Sequence, residues 1–308
     1  MHGSVIVWRC TAQQMLYDNG KPGFKTPLYK HIISIVTRKE NNMKLLVQGD
    51  DFGFTKGVTL GIVDAIDNGI LRNTGLFSNM PDAELAVSFM KDRPQACFGI
   101  DFNLVSGPSV SKKEDVPHLV DENGEFIRSG VRIRDPRWQS EEGRREMFPY
   151  DETYREIRAQ YDRFVELTGK KPGYLHGHSI SHEHYNEAIA RISEEEGIPY
   201  SQSIQKKYGF FNFRSLKTSD IASQKKVFDA NDQLNKNPLK IVQDNADELL
   251  KHEYVCIGGH PGFLDAKLLS LTTLSIERVR DHEMDTSEWI RNWVKDNDIE
   301  LITYYDLY

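Results

Sequence analysis

Two adjacent carboxylates, Asp50 and Asp51, stand in the run Gly49-Asp50-Asp51-Phe52-Gly53, directly after the apolar stretch Leu45-Leu46-Val47. At the end of a strand, neighbouring side chains leave the backbone in different directions. One carboxylate can then bind a metal ion while the other accepts a proton. The competing use is a helix cap beside a solvated neighbour, since Asp is favoured at caps. A second concentration runs from His176 to His184 and holds four of the ten histidines: His176, His178, His182 and His184. Neutral imidazole is a common metal ligand. His178 and His182 are spaced i and i+4, which puts them on one face if the segment is helical; His184 is expected on the exposed side of a helix. Asp101, in Gly99-Ile100-Asp101-Phe102-Asn103-Leu104, shares a strand face with Asn103 between apolar neighbours. A carboxylate there requires a cation or good donors, a structural Arg or Lys included. His260-Pro261-Gly262 follows Val255-Cys256-Ile257-Gly258-Gly259, and those glycines allow close backbone approach to a ligand. A histidine in such a turn is as readily structural as functional.

The elements needed to bring these groups together are legible in outline. From Met43 onward, short apolar runs alternate with amphipathic stretches, the pattern of an α/β domain with a largely parallel sheet. Strands are expected at 45–47, 75–78, 97–105, 174–175, 254–257 and 300–303. Helices are expected after Val58, where Val58, Ile62 and Ile66 recur every four residues, over 82–91, over 152–168, and through Ala188 and Ile192. Asp285 with Glu288 reads as a capping box for a helix ending near Val294. Asp121-Glu122-Asn123-Gly124 reads as a turn, and residues 205–240 as loops and short helices. The expected fold is a single-domain (β/α) barrel-like structure, a distorted or incomplete TIM-type barrel. In such a fold Asp50, Asp51, Asp101, His176, His178 and His260 all fall at or just beyond the C-terminal ends of strands, where ligands bind.

Composition bounds the rest. The 308 residues are 39% hydrophobic and 28% charged, which is ordinary globular usage. A formal charge of −7 argues against a nucleic-acid partner, and no run approaches the roughly 18 apolar residues of a membrane span. Three scattered cysteines, Cys10, Cys97 and Cys256, form neither a disulfide framework nor a zinc pattern, so a reducing cytoplasm is expected. Cys97 and Cys256 read as small buried side chains. Residues 1–42 carry six Lys/Arg against two Asp/Glu, whereas the remainder is strongly acidic. They lack a signal-peptide core and are read as a loosely ordered extension or a stretch upstream of the natural start, with the domain at 43–308.

At these residues the chain resembles the YdjC-like carbohydrate deacetylases, which include chitooligosaccharide deacetylase. The anchors are Asp50 to Gly53 with Lys56-Gly57, Asn68 to Leu71, Gly99-Ile100 to Asn103-Leu104, Val116-Pro117 to Asp121, Lys171-Pro172, His178 to His182, His260-Pro261-Gly262, and Arg280 with Glu283. The resemblance implies a barrel-like fold, a single divalent ion (Mg²⁺, or Mn²⁺ or Zn²⁺) and hydrolysis of the N-acetyl group of a small sugar or oligosaccharide. It implies Asp50 as general base, Asp51, Asp101 and His178 as metal ligands, and His260 as proton donor to the leaving amine. His182 and Arg280 would lie on the substrate side, and a homodimer is expected. Two matched positions depart from the family: it usually has His where this chain has Asp101, and Asp where it has His176. This is a reciprocal exchange of carboxylate and imidazole around one ion, favouring Mg²⁺ or Mn²⁺. The alternatives are a metal-dependent hydrolase of another substrate, which a basic cluster at Arg132/Arg134/Arg137 and Arg144/Arg145 would turn toward phosphate, or a catalytically impaired sugar-binding or regulatory protein. Trp138, Trp289 and Trp293 are possible sugar-stacking surfaces.

Overall fold

The computed structural model describes residues 43–216 and 229–308. The extension at 1–42 and part of the loop region at 205–240 therefore lie outside the described residues. Strand β1 (Lys44–Phe52) is buried on both faces beyond its first residue, as befits the centre of a parallel sheet. Around it stand β2 (Asn73–Leu76), β3 (Cys97–Phe102), β4 (Leu175–Gly177), β5 (Phe211–Asn212), β6 (Tyr254–Gly259) and β7 (Glu300–Ile302). The order is β4-β3-β2-β1-β6-β5, with β7 also on β1, and every pairing is parallel.

β6 takes one edge of β1 along Lys44–Gly49. The other edge is divided: β7 pairs with Lys44–Leu46 and β2 with Gln48–Phe52. Asn73 bridges the division, its Nδ2 donating to Val47 O (3.0 Å) and Ile302 O (3.1 Å) while its Oδ1 accepts from Tyr304 N–H (2.9 Å). The end strands β4 and β5 do not pair with each other. Between them Leu175 of β4 bridges to Tyr200, and the chain crosses as helix Ser201–Tyr208 before entering β5. The result is the expected incomplete (β/α) barrel.

Helix α1 (Lys56–Asn68) follows β1, capped by Thr55, whose hydroxyl accepts from Val58 N–H. α2 (Ala83–Met90), α3 (Tyr150–Thr168), α4 (Glu183–Glu196), α5 (Ser201–Tyr208), α6 (Glu277–Thr286) and α7 (Glu288–Asp296) complete the principal helices. Gly61 on α1 lets the loop after β6 come close: a Cβ there would sit 2.6 Å from Gly262 Cα. That contact draws the His260 turn against the end of β1. No helix among the described residues is long and apolar enough to cross a membrane.

Several boundaries depart from expectation. Asp285 is a buried residue of α6, and Ser287 caps α7 through Ile290 N–H. β2 begins two residues early because Asn73 is needed as the bridge. Residues 178–182 are not helical: Ser179 has φ of 63° and α4 starts at Glu183, so the His178/His182 spacing defines no helix face.

Candidate active site

The chain end of β1 is irregular. Its register with β2 shifts between Gly49 and Phe52, and Asp51 adopts φ of 76°, left-handed backbone that a non-glycine residue rarely takes. The kink sends the two carboxylates into different surroundings.

Asp50 meets Asp101 and His176. One ligand atom from each lies within 4.8 Å of the others, the one such group of three found among the described residues. Asp101 and His176 are register partners across β3 and β4, which is why residues 75 apart in the sequence meet. Gly75 of β2 makes the room, since a Cβ there would overlap the Asp101 carboxylate. Asp101 Oδ2 accepts from Asp51 N–H at 2.9 Å, whereas Oδ1 is buried without a hydrogen-bond partner. Burial, then the charges of Asp50 and Asp51, hold the Asp101 carboxyl well above its ordinary range. His176 is set by Ser201, whose Oγ lies 2.7 Å from Nδ1, so Nε2 faces Asp50 Oδ2 at 3.8 Å.

Asp51 is enclosed elsewhere. Its Oδ2 accepts from Arg278 Nη2 at 2.6 Å, and His178 Nδ1 stands 2.9 Å from Oδ1. Burial opposes its ionisation, but the His178 ring and the Arg278 guanidinium outweigh burial and keep the carboxyl well below its usual range. The backbone N–H of His178 donates to Phe102 O and Tyr185 Oη, each at 3.0 Å, and its ring packs edge-on to Phe77. His260 completes the centre: its ring Nε2 lies 3.9 Å from Asp50 Oδ2, and its backbone N–H donates to Asp281 Oδ2 at 2.7 Å. Burial lowers the His260 pKa against the pull of Asp51 and Asp50, so the ring is neutral near pH 7.

The set carried over from the resemblance, Asp51, Asp101 and His178, is therefore not the set drawn together. Asp50 and His176 stand beside Asp101, while Asp51 is paired with both His178 and Arg278. His182 is a buried N-cap of α4 whose Nδ1 accepts from Tyr185 N–H, with its ring stacked on Phe148 at 4.2 Å. Arg280 is tied to Leu234 O and Glu283. His184 is half-buried, with Nδ1 2.8 Å from Phe148 O, not the exposed residue expected. Of the basic cluster, Arg132 is buried on Phe148, Arg137 pairs with Asp135, Arg144 with Glu183, and Arg145 with Glu141. Trp289 and Trp293 stack on each other in α7 against the core.

Sequence reading missed Gln48, Ser201, Arg278, Asp281 and Tyr304. For Arg278 a signal existed: with Asp281 and Asp285 it follows the i, i+3, i+7 spacing of one helix face. Gln48 and Ser201 carried none, being ordinary polar residues whose meaning depends on a partner far along the chain.

A family model described as YdjC-like protein matches residues 44–296. The chain belongs to the YdjC-like family. Among relatives, carbohydrate deacetylase 2 of Listeria innocua is 34% identical over 270 residues, covering 86% of this chain and 99% of its own. The carbohydrate deacetylase of Brevibacillus brevis is 31% identical, covering 86% of this chain and all of its own. A crystal structure from Enterococcus faecalis V583, provisionally named for cellobiose-phosphate cleavage, shares the YdjC-like fold. Its TM-score is 0.67 at 22% identity, over 86% of this chain and 99% of the other.

Proposed function

We propose that this YdjC-like protein hydrolyses the N-acetyl group of a small sugar or oligosaccharide, with a divalent ion held by Asp50, Asp101 and His176. The observation that carries the reading is the convergence of those three ligand atoms at the C-terminal edge of the sheet. The residues fit an ion. Asp101 has one oxygen committed to Asp51 N–H and the other buried without a partner, and two neighbouring buried carboxylates call for a cation. Two carboxylates and one imidazole suit Mg²⁺ or Mn²⁺ and are also compatible with Zn²⁺. The substrate class rests on the relatives named carbohydrate deacetylase.

When bound, the ion supplies Lewis acidity toward an amide carbonyl and acidifies a water molecule. His260, held neutral by burial, is the group able to take a proton from the attacking water. It returns that proton to the sugar nitrogen as the C–N bond breaks, so water and amide become acetic acid and free amine. Asp50 Oδ2 faces both His176 and His260 and balances the positive charge that His260 acquires. Asp51 acts through its backbone, fixing Asp101, while its carboxylate is held by Arg278 and His178. This moves proton transfer from Asp50 to His260 and ligation from Asp51 and His178 to Asp50 and His176.

The test is metal content of the purified wild type and Asp101→Ala, together with acetate release from diacetylchitobiose with and without Mg²⁺ or Mn²⁺. The expected result is bound metal and metal-dependent acetate in the wild type, with both lost in the variant. A wild type that takes up neither ion would overturn the reading and favour a sugar-binding protein.

A further inference from the structure

Asp50 is held by a line of side chains that does not itself belong to the cluster. Gln205 Nε2 donates to Tyr304 Oη at 2.7 Å, Tyr304 donates to Gln48 Oε1 at 2.6 Å, and Gln48 Nε2 donates to Asp50 Oδ1 at 2.7 Å. The polarity of the line is fixed at its end, because a carboxylate only accepts. Gln48 must turn its NH₂ toward Asp50, which leaves its oxygen for a donor. The Tyr304 hydroxyl is that donor, and its lone pair then takes the Gln205 amide. Tyr304 is fully buried, its ring stacked at 4.1 Å on Tyr174 and its N–H held by Asn73.

The same helix reaches a second member of the cluster. Ser201, the first residue of α5, sets His176 through Nδ1; Gln205, four residues on and on the same face, holds Tyr304. Oδ1 of Asp50 and Nδ1 of His176 are engaged from this side, and Asp50 Oδ2 and His176 Nε2 face each other at 3.8 Å. We infer that Tyr304 is a positioning residue for Asp50, acting through Gln48, and that α5 is the common platform orienting two of the three clustered side chains. Outer partners of this type fix the orientation of ligating groups, and their loss typically weakens metal affinity about 10–100-fold.

Tyr304→Phe tests this directly, since the ring and its packing are retained while the hydroxyl is removed. Tyr308→Phe is the control: its hydroxyl, on the same C-terminal segment, donates to Gly173 O. Two measurements are made on the full chain. In metal-free protein, the side-chain carboxyl carbon resonance of Asp50 reports its bond to Gln48 whether or not any ion binds; it should move in Tyr304→Phe and stay put in Tyr308→Phe. Mn²⁺ titration, which rests on the metal reading above, should give affinity about tenfold weaker in Tyr304→Phe and unchanged in Tyr308→Phe. An unmoved Asp50 carboxyl resonance in Tyr304→Phe, or equal loss of Mn²⁺ affinity in both variants, would overturn the positioning role. A wild type that binds no Mn²⁺ while the Asp50 carboxyl resonance still responds to Tyr304→Phe would sink the metal reading and leave the positioning role standing.

Discussion

Asp51 and Arg278 meet with side chains essentially sealed from solvent, at 0% and 1% exposure. Taking two charges out of water is costly, and the contact offsets that cost only while both partners remain. Arg278→Met should leave the Asp51 charge facing only His178, at a loss of roughly 3–5 kcal/mol. Asp51→Asn in that background removes the stranded charge, so the double variant should be more stable than Arg278→Met alone. Urea unfolding of the two single variants and the double variant measures this coupling. Strictly additive losses would mean that the guanidinium contributes packing on Phe54 more than charge. The pair also marks how far residue-level reading reached. The adjacent carboxylates pointed to divided roles, and the structure divides them; which carboxylate meets which partner depends on the kink at Asp51, and a β-bulge leaves no mark in residue types.

At the scale of elements, helix starts matter because a cap can carry a titratable group. His182 caps α4 with Nδ1 as acceptor, so the cap exists only while the ring is neutral. Burial, with smaller contributions from His184, Arg144 and Arg132 and against the pull of Glu183, lowers its pKa from 6.5 to about 3. The folded state therefore binds this proton more weakly than the unfolded chain. The contribution is fully present above pH 6.5 and is lost as pH falls toward 3. At about 1.4 kcal/mol per unit the ceiling is roughly 5 kcal/mol. His182→Asn keeps a capping side chain without the titration, so its stability should fall less steeply than that of wild type between pH 6.5 and pH 4. Parallel curves from denaturant unfolding across that range would rule out His182 as the source. The histidine run was legible as a place of consequence, but the roles within it were not. A turn with positive φ at Ser179 separates His178 from His182, and aromatic neighbours from distant segments decide that one faces a carboxylate and the other a phenyl ring.

For the molecule as a whole, the alternation of apolar runs and amphipathic stretches was enough to place a parallel sheet and its functional edge. The topology was harder to read, because β1 shares one edge between β2 and β7 and the join depends on a single side chain, Asn73. This arrangement bears on how much of the chain the domain needs. β1 starts at Lys44, and the family match starts at the same residue. The Listeria innocua relative aligns over 99% of its own length while covering 86% of this chain. Every group placed in the site, from Gln48 to Tyr304, comes from residue 43 onward. A chain consisting of residues 43–308 should therefore fold with a thermal midpoint within a few degrees of the full protein, and with the same Mn²⁺ affinity. For a domain of this size a change of about 1 kcal/mol shifts the midpoint by roughly 2–4 °C, so calorimetry resolves a contribution of that order. A larger fall in midpoint would make residues 1–42 part of the folded unit; an unchanged midpoint with altered Mn²⁺ affinity would assign them to the site.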